Sequence, residues 1–129
     1  SPDGKSVRGG FSEVSGLGIS IDVIDYRNGA EPGTVRRVPG LTRFPNLILR
    51  RGIVGDLALF RWIESVSHGR LIRADMRVTL LDESRSPAVL WKVRRAWPCK
   101  WEGPTLHSGG NEVALESVEV CHEGIEIDG

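Results

Sequence analysis

Residues 29–53 read GAEPGTVRRVPGLTRFPNLILRRGI, and the rest of the chain is arranged around them. The pairs Pro32-Gly33 and Pro39-Gly40 punctuate the first half, which predicts irregular backbone rather than helix or strand. Pro45 bars a helix. The run from Leu47 to Ile53 is short, apolar and bounded by turn signals, so it reads as a strand. A structureless loop longer than about 12–15 residues in a compact domain usually has a task or is disordered. This one mixes apolar and cationic side chains: Val35, Val38, Leu41 and Phe44 with Arg36, Arg37 and Arg43, and with Arg27 just before it. A solvated linker has no need of Val, Leu and Phe. The loop is expected to dock on another surface.

Working outward, the chain has 129 residues, enough for one core without disulfide or metal staples. An apolar share of 40% and a charged share of 26% are those of a globular domain. Lys+Arg and Asp+Glu are 17 each, so the net charge is zero. That balance argues against a dedicated nucleic-acid binder, whose footprint is basic, and removes a barrier to self-association. No apolar run is long enough to predict a membrane-spanning helix. Residues 1–10 are expected as a flexible segment, either trimmed at its N-terminus or belonging to a shortened or divergent chain, 11–124 as the folded domain and 125–129 as a C-terminal tail.

Upstream, the pattern turns strand-like from Phe11 to Tyr26, where Ile19, Ile21 and Val23 alternate with Ser20, Asp22 and Ile24. Downstream, a helix is expected from Asp56 to His68. Asp56 would be its N-cap, Leu57, Phe60 and Ile63/Glu64 its packed face, and Gly69 its stop. Strands are expected at Ala74–Leu81 and Ala88–Trp97, the second ended by Pro98, with a polar turn between them. The last strand, Glu112–His122, changes phase near Ser117, which predicts a bulge there. These elements amount to a mainly β, single-domain barrel or sandwich with one packed helix and a long loop. Its open strand edges need a cover, and another copy of the chain would supply one.

Chemistry is harder to find. A zinc site from Cys99, His107, Cys121 and His122 lacks the short paired spacings of structural zinc sites, so no metal and no cofactor is expected. The two cysteines are expected as free, buried thiols. No Gly-x-Ser-x-Gly elbow or catalytic-Cys signature is present, and no enzyme activity is assigned. Glu112, Glu116, Glu119 and Glu123 read as a solvated carboxylate face. Of each Arg pair at 36/37, 50/51 and 94/95, one member should point to solvent.

The ordered set GFSEVSGL at 10–17, DYRNG at 25–29, RRVPG at 36–40, FPNLILRRG at 44–52, AWPCK at 96–100 and GNEVA at 110–114 resembles the tail tube protein family of contractile phages. The helix with Leu59 and Trp62, Trp91 and the closing His122-Glu123-Gly124 extend the resemblance across residues 10–124. It implies an inner tube subunit: a tail-tube-type β-barrel protomer forming hexameric rings that stack into a hollow tube within a sheath. Partners would be other copies of the chain, sheath and baseplate proteins, and DNA or protein cargo in transit. The subunit would be made in the cytoplasm and assembled into a virion tail or injection particle. In the family the long loop mediates ring contacts, which makes Arg27, Arg36, Arg37, Val38, Leu41, Arg43 and Phe44 the expected inter-subunit set. Polar strand positions Ser20, Asp22, Arg77, Thr79, Lys92 and Arg94 are the candidates to line the lumen, with the opposite strand faces forming the core. The alternatives are a baseplate-proximal initiator or tube-end adaptor of the same machine, or a small ligand-binding barrel.

Overall fold

The computed structural model describes residues 10–27, 29, 33–53, 57–106, 108 and 114–127. The chain is mainly β with one helix, in the order β1 (Glu13–Ser15), β2 (Ser20–Arg27), β3 (Val35–Arg43), β4 (Leu47–Gly52), α1 (Ala58–Ser67), β5 (Ala74–Leu81), β6 (Pro87–Glu102), β7 (Leu115–Cys121) and β8 (Gly124–Ile127). A six-stranded antiparallel sheet runs β1-β4-β7-β6-β5, with β8 also on β6. Strands β2 and β3 form a separate two-stranded ribbon.

The segment expected as a long loop is in large part regular. Val35–Arg43 is a strand, paired to β2 from Arg27↔Val35 to Ser20↔Arg43. Pro39 sits inside it because a two-stranded ribbon leaves each strand one free edge, where a missing N–H costs no ladder bond. The register slips between Ile21 and Val23, which leaves Gly40 and Leu41 together opposite Asp22.

Strand β6 holds the main sheet together. Its first half pairs with β5 and β8, its second half with β7. Two bulges bend it. At the first, Arg95 takes φ 52°, and its N–H donates to Asp75 Oδ1 at 3.1 Å. At the second, the register shifts between Pro98 and Lys100 around Cys99. Pro98 therefore lies within the strand, fully buried opposite Val120, instead of ending it. The bulge expected near Ser117 is absent: β7 pairs with β4 in continuous register, Glu116, Val118 and Val120 all point inward without a change of phase, and Leu115 is exposed. Gly124–Ile127, expected partly as a tail, is strand β8 on β6.

The core lies between the curled sheet and α1. Leu47, Leu49, Val93, Ala96, Val118 and Val120 supply the sheet side and Leu59 the helix side. The helix meets the sheet through Leu59 and Trp62, so its packed stripe is displaced from the expected Leu57/Phe60/Ile63. Leu57 occupies the N-cap position without a side-chain bond, and Asp56 lies outside the described residues. Phe60, partly exposed, meets the edge of Trp101 at 5.1 Å. The stop is as expected: Gly69 has φ +88°, its N–H reaches Val66 O and the Arg70 N–H reaches Ser65 O, a Schellman closure.

One pair of charges lies inside. Arg51 and Glu116 are 2% and 5% exposed, with Arg51 Nε donating to Glu116 Oε1 at 2.7 Å and Trp101 Nε1 donating to Glu116 Oε2 at 3.0 Å. Phe11 packs beneath the guanidinium. Arg50 takes the outward role in its pair and reaches Glu13 at 3.1 Å. The solvated carboxylate face is thus corrected at Glu116, which is buried, while Glu123 is exposed and Glu112 lies outside the described residues. Cys99 is exposed rather than buried, and both thiols are free.

Gly16 joins β1 to the ribbon with φ +93°, and a Cβ there would drive into the Asn46 carbonyl. Gly16→Ala is expected to cost about 2–3 kcal/mol, from a left-handed backbone plus the clash. Urea unfolding checks this; a loss below about 0.5 kcal/mol would show that the chain relaxes freely there.

Candidate assembly surface

The β2–β3 ribbon is an arm whose apolar side chains the chain does not cover. Ile21, Val23, Ile24 and Tyr26 on β2 are between 51% and 59% exposed, and Val35, Val38 and Leu41 on β3 between 41% and 67%. Cross-strand partners share a face, so Ile24 and Val38 lie together on one side and Val23 and Pro39 on the other. Both faces are apolar in part. The expectation that the Ile21/Val23 side of this strand makes core is corrected: those residues belong to the arm. Their pattern alternates well enough to look like core, because an interface strand and a core strand obey the same period.

Two exposed ion pairs cross the arm. Arg43 Nε donates to both carboxylate oxygens of Asp22 at 2.9 Å, and Arg37 Nε reaches Asp25 at 3.4 Å. The Arg43 hydrogen bond, with its charge in support, holds the Asp22 carboxyl below the usual range. Of the residues expected at the contact, Arg27, Arg36, Arg37, Val38, Leu41 and Arg43 all sit exposed on the arm. Phe44 does not. It lies at the arm's root, half-buried, with its ring 5.8 Å from that of His122. Sequence reasoning missed Ile21, Val23, Ile24 and Tyr26 as members of the same surface.

The six polar positions read as lumen candidates divide between two sheets. Arg77 pairs with Lys92, Thr79 with Leu90 and Arg94 with Gly124, which places Arg77, Thr79, Lys92 and Arg94 on one outward face of β5, β6 and β8. Ser20 and Asp22 are on the arm instead. The outward face balances much of its own charge. Lys92 Nζ lies 3.6 Å from Asp75, and Arg94 Nη1 lies 3.5 Å from Glu126. The Arg95 N–H, with Lys92 in support, keeps the Asp75 carboxyl below its ordinary range.

Beside the second bulge Cys99 Sγ lies 3.5 Å from Glu119 O, and partial desolvation of this otherwise exposed residue's thiol, with a hydrogen bond to Cys121, pushes it up to about 12. Such a thiol stays protonated and is a poor nucleophile at neutral pH. Among the described residues, no three His, Cys, Asp or Glu side chains gather to hold a metal ion. No described helix is long and apolar enough to cross a membrane.

The family model described as T4-like virus tail tube protein gp19 matches residues 3–126. Among solved structures, the chain is similar to a chain of the PVC sheath-tube complex in its extended state, an extracellular contractile injection system. The TM-score there is 0.81 at 28% identity, covering 92% of this chain and 80% of that one. It is similar to the same degree to a chain in the tube-terminating cap of the anti-feeding prophage, with TM-score 0.81, 28% identity, and 93% and 80% covered. Hcp1 from Flavobacterium johnsoniae shares the fold, with TM-score 0.56 at 19% identity over 88% of this chain and 85% of that one. No curated protein sequence matches the chain.

Proposed function

The chain belongs to the T4-like virus tail tube protein gp19 family, and on that premise we propose that it is the inner tube subunit of a contractile tail or injection system. Copies form hexameric rings, and the rings stack into a conduit for DNA or effector proteins. The role is structural and non-enzymatic. One observation carries the reading: an arm with apolar side chains on both faces that its own chain leaves open. A two-stranded ribbon alone is marginal in water, and apolar surface on both sides calls for a partner on each. Neighbouring copies supply them, in the ring and in the adjacent ring. The open edges of β1 and β5, which end the sheet, gain partners in the same assembly.

The face carrying Arg77, Thr79, Lys92 and Arg94 is the candidate lumen wall. Alternating, internally balanced charge there limits adhesion of a passing polymer of either sign. The tube's exterior meets sheath proteins and its end meets the baseplate, in keeping with the assemblies in which the similar chains are found. Synthesis in the cytoplasm precedes assembly into the particle.

A tube-end adaptor is the second reading, because the likeness to a chain of the cap assembly equals that to the sheath-tube complex. An adaptor would form rings that do not stack. Arg37→Glu separates arm contacts from folding. It turns the exposed Arg37–Asp25 pair into a like-charge pair on the arm, so stacking should weaken about tenfold in concentration while the unfolding midpoint stays put. Sedimentation of the variant against the parent chain reads both. Normal assembly would remove this part of the arm from the contact.

A further inference from the structure

The second bulge of β6 puts a sulfur where a regular strand would not. Trp97 stands opposite Cys121 of β7 on the outward face, since the next pair, Pro98 and Val120, is buried inward. In a regular ladder Cys99 would be the diagonal neighbour of Cys121, with Cα atoms about 7–8 Å apart. A cystine needs about 4.4–6.8 Å. The register shift closes that gap, because Pro98, Cys99 and Lys100 together face only Val120 and Glu119. The extra residue is drawn back along β7 toward Cys121.

Neighbouring groups on three strands locate the Cys99 sulfur. It lies 3.5 Å from Glu119 O on β7 and 3.8 Å from Asn46 Nδ2 beyond that strand. Asn46 comes just before Leu47, which pairs with Val120, so it flanks Cys121 from the far side. The Cys99 side chain therefore reaches over β7, where its thiol shares a hydrogen bond with that of Cys121. Both thiols are free. Packing alone does not account for them. A buried Cys serves as a small hydrophobe, whereas Cys99 is exposed and Cys121 only half-buried.

We propose that Cys99 and Cys121 form a redox modification site, closing into a cross-strand cystine when a small oxidised disulfide reaches the exposed sulfur. One protein sulfur attacks the small disulfide, forms a mixed disulfide with half of it and releases the other half as a thiol. The second protein sulfur then attacks the first and releases the remaining half. Two electrons pass from the cysteines to the small disulfide, and the two thiol protons leave on its halves. Cys99 holds its proton at neutral pH, so closure is slow and the pair stays open in a reducing cytoplasm. Outside the cell the bond persists. It constrains the unfolded chain between the two cysteines, which stabilises a protein that must last there. That setting rests on the injection-particle reading. The bond itself belongs to the single chain, so either idea can fail without the other.

The dilute, fully reduced, full-length chain tests it, brought to equilibrium in about 1 mM each of reduced and oxidised glutathione. Free thiols are then trapped with an alkylating reagent, and intact mass and non-reducing electrophoresis read the products. The chain has only these two cysteines, so a monomer that loses two hydrogens and takes up no reagent has closed this pair. The closed form should exceed the open one at least about tenfold, and dithiothreitol should reverse it. Cys121→Ser should instead carry one glutathione, on Cys99. A parent chain that remains mostly a dithiol, keeps glutathione on one cysteine, or links to a second chain would overturn the proposal, whether or not the same chain forms tubes.

Discussion

Glu116→Ala is expected to remove about 3–5 kcal/mol of stability, the cost of breaking a buried ion pair from one side. Native domains hold only about 5–15 kcal/mol in all, so much of the chain would unfold in mild urea. Glu116 is 5% exposed, and its two oxygens serve Arg51 Nε at 2.7 Å and Trp101 Nε1 at 3.0 Å. Removing the carboxylate takes from the buried guanidinium its 2.7 Å ion-pair acceptor and from the indole N–H its 3.0 Å one, with little water to take its place. The double change Arg51→Met with Glu116→Leu separates lost charge from lost packing. It keeps volume and removes both ions, and such swaps are often neutral or stabilising. Equilibrium unfolding of the two variants checks this. A loss under about 1 kcal/mol in Glu116→Ala would mean that water reaches Arg51 and that the pair is not sealed.

Ile24→Asp should have the opposite profile, with folding untouched and assembly abolished. Ile24 is 51% exposed in the single chain and shares its face of the arm with Val38. A substitution at so open a position costs the monomer little. In an assembled tube the same position would be covered. Losing a buried Ile forfeits about 1.5–3 kcal/mol per contact, and burying an unpaired carboxylate adds several more. Each 1.4 kcal/mol is about tenfold in affinity, so the concentration needed for assembly should rise at least about a hundredfold. Sedimentation velocity and thermal unfolding of the same preparation read both halves. A variant that assembles at the parent's concentration would show that this face of the arm stays uncovered.

Much of the architecture was legible from local pattern. Strand β5 was read at Ala74–Leu81, the bounds it has, because Met76 and Val78 alternate cleanly against Arg77 and Thr79. The turn after it was equally plain: Asp82 Oδ1 accepts from the backbone and hydroxyl of Ser84 and from the backbone of Ser86. The family resemblance, read from ordered short motifs, is the family that the whole-chain match establishes.

What escaped was whatever depends on a distant partner. Pro39 and Pro98 read as breakers in the sequence, yet one lies on a two-stranded ribbon and the other at a bulge, where strands tolerate proline. The Glu116–Arg51 pair spans 65 positions, and nothing in the local charge pattern distinguishes Glu116 from its solvated neighbours. The expected contact loop covers only the second half of the arm. Its first half wears the alternation of a core strand, and sequence period reports burial without saying whether the cover comes from the same chain or from another.

Electron microscopy of the purified chain, concentrated stepwise with light scattering on the same sample, asks directly whether the arm finds its partners in other copies. Six-fold rings that stack into hollow tubes are the predicted result. A chain that stays monomeric up to millimolar concentration, with its arm open throughout, would contradict it.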